Sequence, residues 1–532
     1  MKKIYTTLSL ILIINLVQAQ NPLVKQWDYR YGGTTDEYFF SLQPTADGGY
    51  ILGGASNSVI SGDKTQNTQG TFDYWMIKLN SSGNKQWDKD FGGTEGDYPV
   101  SVQQTRDKGY ILGGFSGSGI GGDKTQATQG GLDYWIVKTD SLGIKQWDKD
   151  FGGTSDDYLY ALQQTADGGY ILGGYSLSGI SGDKTQALVG AEDYWVVKTD
   201  SLGTKQWDKN FGGTSSDFFQ SLQQTSDGGY ILGGYSFSGI SGDKTQASQG
   251  DLDYWIVKIN SQGIKQWDKD FGGLSFDNLT SVRQTTDHGY ILGGFSQSGI
   301  SGDKTQTTWN NSIDYWILKT DSLGIKQWDK DFGGTLNDDD FRIISQTTDG
   351  GYLFSGASYS NIGGDKTENN LGAEQSWIVK TDSLGIKQWD KTLRTNSTLD
   401  DETGFAFQTS DGCYTIANYT NAGTGGDKIQ PSWGSYDYWI IKFCDSTTTT
   451  SISQIADFRF PFSIYPNPTK TLLNLFLDNK ENIVITNVLG EIVLQKNISS
   501  VTAGKVVLDV SFLQAGIYFI TVGSEVRKFI KE

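Results

Sequence analysis

Short segments rich in apolar and aromatic residues recur along most of the chain, separated by polar turns. In the unit that begins at Lys145 they read KQWDKDF, DYLYALQQ, GYILGGYS and DYWIVKT. Each segment is bounded by glycine, aspartate or serine, and none has the 3.6-residue period of a helix. The pattern predicts four short β-strands in every unit.

The unit occurs seven times, as two series of tryptophans show. The KQWD series repeats every 60 or 61 residues and consists of Trp27, Trp87, Trp147, Trp207, Trp267, Trp328 and Trp389. The DYW-type series has the same period and consists of Trp75, Trp135, Trp195, Trp255, Trp316, Trp377 and Trp439. Seven four-stranded units predict an all-β fold, a seven-bladed β-propeller in which ring closure covers the sheet edges. An open solenoid is the alternative, although no polar capping repeat is visible.

The last unit has no KQWD strand after it, so we expect the N-terminal strand, from Lys25 to Tyr31, to complete it. Within a unit, TADGGY and TDSLG are tight-turn sequences, whereas FGGTSDD and SGISGDKTQ are longer connections. In an antiparallel blade alternate connections emerge on opposite faces. We call the face with the longer connections the long-loop face, and expect ligand binding there because binding residues concentrate on loops.

Positions that differ between units are the candidates for recognition. They include the aromatic triplets that follow the FGGTSDD connection and the stretch before DYW. The candidate ligand-binding residues are Tyr38, Phe40, Tyr158, Tyr160, Phe218, Phe219, Trp309 and Asp340. Aromatic rings beside Asp and Asn suit a carbohydrate or a peptide. About half of these aromatics are expected to fill the central channel instead.

A Gly-Asp-Lys motif recurs in all seven long loops. Its aspartates are Asp63, Asp123, Asp183, Asp243, Asp303, Asp365 and Asp427. One interpretation is a turn in which Asp accepts backbone N–H groups and Lys pairs with a neighbouring blade. The other is a calcium site built from Asp and other oxygen ligands, with calcium as the one cofactor that the sequence suggests.

Both cysteines, Cys413 and Cys444, lie in the last unit, where they replace a turn glycine and a turn aspartate. They fall at the same end of two strands that we expect to pair. This placement suggests a disulfide across the closing blade, and two unrelated substitutions are the alternative.

The unit resembles kelch-type propeller repeats, since an apolar strand ends in a glycine doublet (GYILGG) and is followed by an aromatic pair and a spaced tryptophan. It is still more similar to long secreted bacterial repeats of the form W-x-K-x-FGG…DGGYI-x-GG. The resemblance covers about residues 21–444. It implies that DYLYALQQ is the innermost strand and KQWDKDF the outermost.

After Cys444 the repeat ends, and a polar linker, DSTTTTSISQ, leads to strand-like segments that predict a small Ig-like β-sandwich. This segment resembles the type A C-terminal sorting domain of the Bacteroidetes type IX secretion system. The matching residues are Tyr465, Pro466, Asn467, Pro468, Gly490, Gly516 and Tyr518. The resemblance implies handling by the type IX machinery and passage across the outer membrane, followed by release or surface attachment.

The chain starts with MKKIYTTLSLILIINLVQAQ, whose basic start, apolar run and Val17-Gln18-Ala19 cleavage pattern predict a Sec signal peptide that is cut after Ala19. The expected domains are the signal peptide (1–19), the propeller (20–444), the linker (445–460) and the sorting domain (461–532). No later stretch is apolar enough to span a bilayer. A formal charge of −18 argues against nucleic acid as a partner.

Catalysis is disfavoured, because the only histidine, His288, lies in a turn and neither cysteine has a histidine partner at a repeated position. Five arginines occupy different phases of the repeat, so we do not expect them to converge into a sialidase-type cluster. They are Arg30, Arg106, Arg283, Arg342 and Arg394.

The sequence therefore predicts an exported, non-enzymatic binding or adhesion protein whose long-loop face binds a polysaccharide or a surface or matrix protein. The alternative is a glycosidase or lyase that uses aspartate pairs on that face. Its candidate residues are Asp156, Asp157, Asp338, Asp339, Asp340, Asp400 and Asp401.

Overall fold

The structure is a computed structural model. It describes residues 23–338, 340–397, 404–445, 462–465, 469–477, 482–488, 490–496, 504–522 and 525–532. The predicted signal peptide and most of the predicted linker lie outside these residues. The chain forms two compact units, residues 1–448 and 449–532.

The first unit contains seven four-stranded antiparallel sheets, each of which is one blade. The first strands of the blades are β2 (Glu37–Pro44), β6 (Asp97–Gln104), β10 (Asp157–Gln164), β14 (Asp217–Gln224), β18 (Asp277–Gln284), β22 (Ile343–Gln346) and β26 (Phe405–Gln408). The second strands are β3 (Tyr50–Ser56), β7 (Tyr110–Ser116), β11 (Tyr170–Ser176), β15 (Tyr230–Ser236), β19 (Tyr290–Ser296), β23 (Tyr352–Ser358) and β27 (Tyr414–Thr420).

The third strands are β4 (Asp73–Leu79), β8 (Asp133–Thr139), β12 (Asp193–Thr199), β16 (Asp253–Ile259), β20 (Asp314–Thr320), β24 (Gln375–Thr381) and β28 (Asp437–Asp445). The fourth strands are β5 (Lys85–Phe91), β9 (Lys145–Phe151), β13 (Lys205–Phe211), β17 (Lys265–Phe271), β21 (Lys326–Phe332), β25 (Lys387–Thr392) and β1 (Leu23–Tyr31). A short 3₁₀ turn, Trp309–Asn311, precedes β20.

The seventh blade has the strand order β1-β28-β27-β26, so the N-terminal strand completes the last sheet. The pairing of β1 with β28 is antiparallel and runs from Leu23 opposite Asp445 to Tyr31 opposite Tyr438. The prediction of a seven-bladed propeller closed by its N-terminal strand is confirmed. The first and last parts of the repeat are thereby joined in one sheet.

The DYW sequence of each third strand explains why neighbouring blades fit together. Tyr194 in the third blade donates a hydrogen bond to the carbonyl of Trp255 in the fourth at 3.1 Å. Their ring centroids are 4.8 Å apart, and both side chains are fully buried. The same pair recurs as Tyr134 with Trp195. These junctions therefore combine apolar burial with a satisfied polar group.

The aspartate of KQWD organises the interior of each blade. Asp148 accepts hydrogen bonds from Trp135 Nε1 at 3.1 Å and from Thr125 N at 2.9 Å. It also pairs with Lys145 at 2.8 Å. Three sequence motifs, DYW, GDKT and KQWD, therefore meet at one buried carboxylate, which explains why they repeat together.

Glycine in the TDSLG turn is required by backbone geometry. Gly143 has a φ of +74°, and a Cβ atom there would lie 2.9 Å from the Trp87 ring of the preceding blade. A left-handed backbone and close contact both exclude larger residues. The tight turn thus packs directly on the tryptophan of the neighbouring KQWD strand.

The second unit consists of two antiparallel sheets, with the orders β29-β30-β33 and β32-β31-β34-β35. Its strands are β29 (Phe462–Tyr465), β30 (Leu472–Leu477), β31 (Ile483–Asn487), β32 (Ile492–Lys496), β33 (Gly504–Asp509), β34 (Gly516–Val522) and β35 (Glu525–Lys531). Buried residues from both sheets form one core, including Leu475, Ile485 and Phe529. This arrangement confirms the predicted sandwich. No helix in the described part of the chain has the length and hydrophobicity of a membrane span.

Candidate functional site

The first strands of all seven blades surround a central cavity of about 430 Å³. We call it the axial cavity. In five blades a β-bulge interrupts the first strand and leaves one residue outside the ladder, such as Tyr160 between Leu159 and Ala161. The five bulged residues and Arg342 of the sixth blade all line the cavity: Phe40, Val100, Tyr160, Gln220, Thr280 and Arg342. Six blades thus present six different side chains to the axis.

The three residues of each variable triplet lie in three different environments. In the first four blades the first residue is half-buried and belongs to a group of neighbouring aromatic rings, as Tyr38, Tyr158 and Phe218 do. The second residue is buried between blades, and the third faces the axial cavity. Phe219 is a second residue and is fully buried against Tyr194. The prediction that Phe219 contacts a ligand is therefore wrong, because its ring fills the junction between two blades.

Aromatic side chains form a continuous arc at the end of the inner strands nearest the long-loop face. Successive ring centroids along this arc are 5.0 to 5.7 Å apart. We call it the aromatic arc; its members are Tyr436, Tyr419, Tyr38, Phe72, Tyr98, Phe115, Tyr158, Tyr175, Phe218 and Tyr235. It extends from the seventh blade through the first four. Desolvation raises the pKa of Tyr158, Tyr175 and Tyr235, so these hydroxyls stay protonated.

The fifth and sixth blades supply a different, polar sector. Asn278 replaces the aromatic residue at the start of β18, and Thr280 is its bulged residue. Arg283 and Arg342 both line the axial cavity. The prediction that the arginines do not converge is wrong for this pair, because the bulge and the irregular start of β22 bring different repeat phases to one surface. The cavity is therefore asymmetric, with rings on one side and guanidinium groups on the other.

Arg283 is held by neutral partners. Its Nη1 donates to Ser221 Oγ at 3.0 Å and to the carbonyl of Val282 at 2.8 Å. Desolvation lowers the pKa of Arg283 to about 10. No carboxylate pairs with Arg283 among the residues that the structure describes. The described residues thus place a cation at the axial cavity without a carboxylate beside it.

The Gly-Asp-Lys aspartates join each loop to the preceding blade. Asp123 accepts a hydrogen bond from Gln69 Nε2 at 2.5 Å, and its backbone N–H bonds to the carbonyl of Gly92 at 2.8 Å. The following lysine, Lys124, pairs with Asp150 of its own blade rather than with a neighbouring blade. Across the described residues, no group of three or more His, Cys, Asp or Glu side chains could hold a metal ion. Calcium binding stays a prediction.

Two further candidates lie away from the axial cavity. Trp309 is 45% exposed, but its indole N–H donates to Asp365 at 2.9 Å, in the role that Gln69 has for Asp123. Asp340 is exposed and has a positive φ of 56°, just before Arg342. Trp309 thus supports a loop, while Asp340 lies in the irregular segment before β22.

The candidate aspartate pairs are mostly engaged by the scaffold. Asp157 is buried and accepts hydrogen bonds from Gly153 N at 2.7 Å and Ser178 Oγ at 3.0 Å. Asp338 has the same contacts in the sixth blade. Asp156 accepts from Leu132 N at 3.0 Å. Of the other four members of the set, Asp340 is exposed, and Asp339, Asp400 and Asp401 lie outside the described residues.

Cys413 and Cys444 form a disulfide that spans 31 residues of sequence. Cys413 precedes β27 and Cys444 lies in β28, next to the paired residues Tyr414 and Phe443. The covalent bond therefore joins two strands of the blade that closes the ring.

The predicted sorting residues lie in the second unit. Tyr465 ends β29, and Gly490 has a φ of +84°, which favours glycine. Gly516 begins β34, where Tyr518 stacks on Phe529 with ring centroids 5.6 Å apart. Pro466, Asn467 and Pro468 lie outside the described residues.

Residues 463–532 match the family model described as the secretion system C-terminal sorting domain. No curated protein sequence matches the chain at a significant level. A protein of unknown function from Dyadobacter fermentans aligns at 10% identity and a TM-score of 0.44, covering 80% of this chain and 99% of that one. The resemblance to kelch-type repeats stays a prediction.

Two other solved structures are similar to this chain. PorZ, described as a surface component of the type IX secretion system of Porphyromonas gingivalis, aligns at 12% identity and a TM-score of 0.39, covering 94% of this chain and 60% of PorZ. The Pan2 WD40 domain of Neurospora crassa aligns at 9% identity and a TM-score of 0.42, covering 79% and 96%. The C-terminal segment of this chain is a type IX sorting domain, and it indicates export to the cell surface or the medium.

Proposed function

We propose that this exported protein is a non-enzymatic binding protein and that its ligand occupies the axial cavity. The prediction from sequence placed binding on the loops of the long-loop face. The axial cavity is favoured because it gathers the side chains that differ between blades, whereas the repeated loop aspartates fasten one blade to the next.

One observation carries this proposal. Tyr160, Gln220 and Thr280 occupy equivalent bulged positions in successive blades, yet they differ in size and chemistry. A purely structural role would favour the same residue in each blade, as it does at the buried tryptophans. Side chains of different chemistry around one cavity are the usual composition of a ligand site.

The test is a screen of the full chain against arrayed surface and matrix polysaccharides, followed by affinity measurements on two variants of the third blade. Tyr160→Ala removes a ring from the axial cavity and is expected to weaken binding at least tenfold. Ile180→Ser is the matched control, because Ile180 is 69% exposed in the long loop. If Ile180→Ser loses binding while Tyr160→Ala binds fully, the proposal is contradicted and the predicted site on the long-loop face is supported instead.

Calcium is tested in the same experiment. The screen is run with calcium chloride and with a chelator, and the proposal expects the same affinity in both. A calcium-dependent affinity that Asp123→Asn abolishes assigns the Gly-Asp-Lys loops to calcium instead.

A further inference from the structure

The charged side chains that line the axial cavity differ in kind from those that predominate in the protein as a whole. The chain has a formal charge of −18, with 61 acidic and 43 basic residues. Arg283 and Arg342 nevertheless line the cavity, and no aspartate or glutamate is among the described residues that line it. A positive site inside an acidic protein requires a specific explanation, because random placement favours carboxylates.

The surroundings of Arg283 indicate why arginines line this cavity. Among the described residues its guanidinium group donates to a serine hydroxyl and a main-chain carbonyl, and neither of these neutral groups compensates its positive charge. Removing a cation from water without an opposite charge is costly. The depressed pKa of Arg283, about 10, results from desolvation alone. An anion bound in the cavity would offset this cost.

The opposite side of the cavity defines the rest of the ligand. Phe40, Tyr98 and Tyr160 line the cavity, and Tyr98 belongs to the aromatic arc. Aromatic faces pack against the C–H faces of sugar rings, and hydroxyls from Ser and Thr complement sugar hydroxyls. Ser221 and Thr280 provide such hydroxyls beside the guanidinium groups. A cavity of about 430 Å³ has room for one or two sugar rings.

We infer that the axial cavity binds an anionic saccharide, with Arg283 and Arg342 on its carboxylate or sulfate groups and aromatic rings against its sugar face. This inference rests on the proposed function, since it assigns a ligand class to the same site. Guanidinium groups bind both anions through paired N–H donors. The ligand that this cavity fits is therefore a pyranose ring that carries an oxyanion.

The test is isothermal titration calorimetry of the full chain with three saccharide probes and with tetraglutamate as an acidic peptide. Trigalacturonate provides carboxylates, its methyl ester is the matched neutral saccharide, and a sulfated carrageenan tetrasaccharide provides sulfates. We expect at least one anionic probe to bind at least tenfold more tightly than the ester, and that affinity to fall as salt is raised. Which anionic probe binds more tightly distinguishes carboxylate from sulfate as the source of the charge.

The double variant Arg283→Gln and Arg342→Gln is expected to weaken binding of the anionic probe at least tenfold. Arg106→Gln is the control, since Arg106 is exposed and its guanidinium group donates to the carbonyl of Ala166 in the next blade. Arg283→Lys keeps the charge and is expected to keep part of the affinity. Thermal melts verify folding, and Arg283→Gln should melt no lower than the natural protein because it removes a partly buried cation that has no carboxylate partner among the described residues.

The outcomes separate this inference from the proposed function. Equal binding of acid and ester that Tyr160→Ala abolishes overturns the anionic ligand but retains the axial site. If neither Tyr160→Ala nor the double arginine variant changes the affinity, both the anionic ligand and the axial site are overturned. Both are also overturned if none of the three saccharide probes binds. If tetraglutamate binds as tightly as the saccharides with the same arginine dependence, the ligand is an acidic peptide and the saccharide assignment is overturned.

Discussion

The junctions between blades and the surface around the axis differ sharply, although the same repeats build both. Between the third and fourth blades, Tyr194 bonds to Trp255, and the preceding junction has the same pair at nearly the same distance. At the axis the same two blades present Tyr160 and Gln220. Where blades must fit together the sequence is copied, and where a side chain faces open space it diverges. The divergent positions are therefore where specific recognition is expected.

The junction between the sixth and seventh blades departs from the copied pattern. Ser376 replaces the tyrosine of DYW, and Asn418 Nδ2 donates to Ser376 Oγ at 2.9 Å across the junction. The seventh blade also contains the disulfide and receives the N-terminal strand. The blade that closes the ring thus contains two features, a disulfide and a strand from the N-terminal end of the propeller, that are not found in the other six blades.

Deleting residues 23–31 is expected to have the largest effect. Without β1 the seventh blade loses its outer strand, and Trp439 loses the carboxylate of Asp28, 3.1 Å from its indole nitrogen. The loss is comparable to the whole free energy of folding, about 5–15 kcal/mol. Size-exclusion chromatography and near-UV circular dichroism should reveal an expanded chain, and adding the 23–31 peptide should restore the native spectrum. A compact, cooperatively melting deletion variant contradicts closure by β1.

Substituting one residue at a junction and one at the axis tests the comparison directly. Trp255→Ala removes a fully buried ring and its hydrogen bond to Asp268, and should cost about 3–5 kcal/mol. Tyr160→Ala should cost less than about 1 kcal/mol. Urea unfolding measures both values. Equal destabilisation would mean that Tyr160 is part of the structural core.

Removing the disulfide is expected to destabilise the closing blade. The double variant Cys413→Ser and Cys444→Ser opens a loop of 31 residues, which corresponds to about 3–4 kcal/mol. Thermal melts of the variant and of the natural protein in reducing and oxidising buffer measure the difference. The natural protein without reductant is the reference, and a melting temperature insensitive to reductant contradicts a stabilising disulfide.

A buried pair of carboxyl groups predicts a smaller, pH-dependent effect. Asp133 and Asp150 each have a buried oxygen without a hydrogen-bond donor among the described residues, and a shared proton would satisfy both. The third blade supports this, since Asn210 takes the place of Asp150 and donates to Asp193 at 2.6 Å. Burial, opposed by Lys124 and reinforced by Asp133, raises the pKa of Asp150 to about 8.

Because this pKa is raised on folding, the stability it provides is present at low pH and lost as the pH rises through about 8. Asp150→Asn should therefore reduce the loss of stability between pH 5 and pH 9, by about 1–2 kcal/mol, because Asn needs no proton to donate. Urea unfolding at both pH values measures this. Asp251→Asn, at an exposed loop position, is the control. An unchanged pH dependence in Asp150→Asn means that Asp150 is ionised.

Much of the fold could be predicted from sequence, because a period of 60 or 61 residues and strand-like segments leave few architectures. The strand order followed from antiparallel pairing, and the missing strand of the last unit indicated closure by the N-terminal segment. The sorting domain was predicted from several motifs in order, such as the glycines at 490 and 516. These features depend on local sequence and on spacing.

The axial cavity was only partly predictable. The β-bulge at Thr280 shifts the pairing of β18 by one residue, so the position of each arginine in the repeat did not reveal that Arg283 and Arg342 share a surface. The variable triplets did contain a pattern from which the buried position could have been predicted. Their middle residue is always apolar, as Phe219 and Phe341 are, and this alternation marks it as core while its neighbours face elsewhere.

The most direct measurement is a crystal structure of the full chain soaked with the anionic saccharide at ten times its dissociation constant. We expect density for the saccharide in the axial cavity, with its oxyanion within hydrogen-bond distance of Arg283 or Arg342 and a sugar ring against the aromatic side. Density among the Gly-Asp-Lys loops with an empty axial cavity would contradict this account.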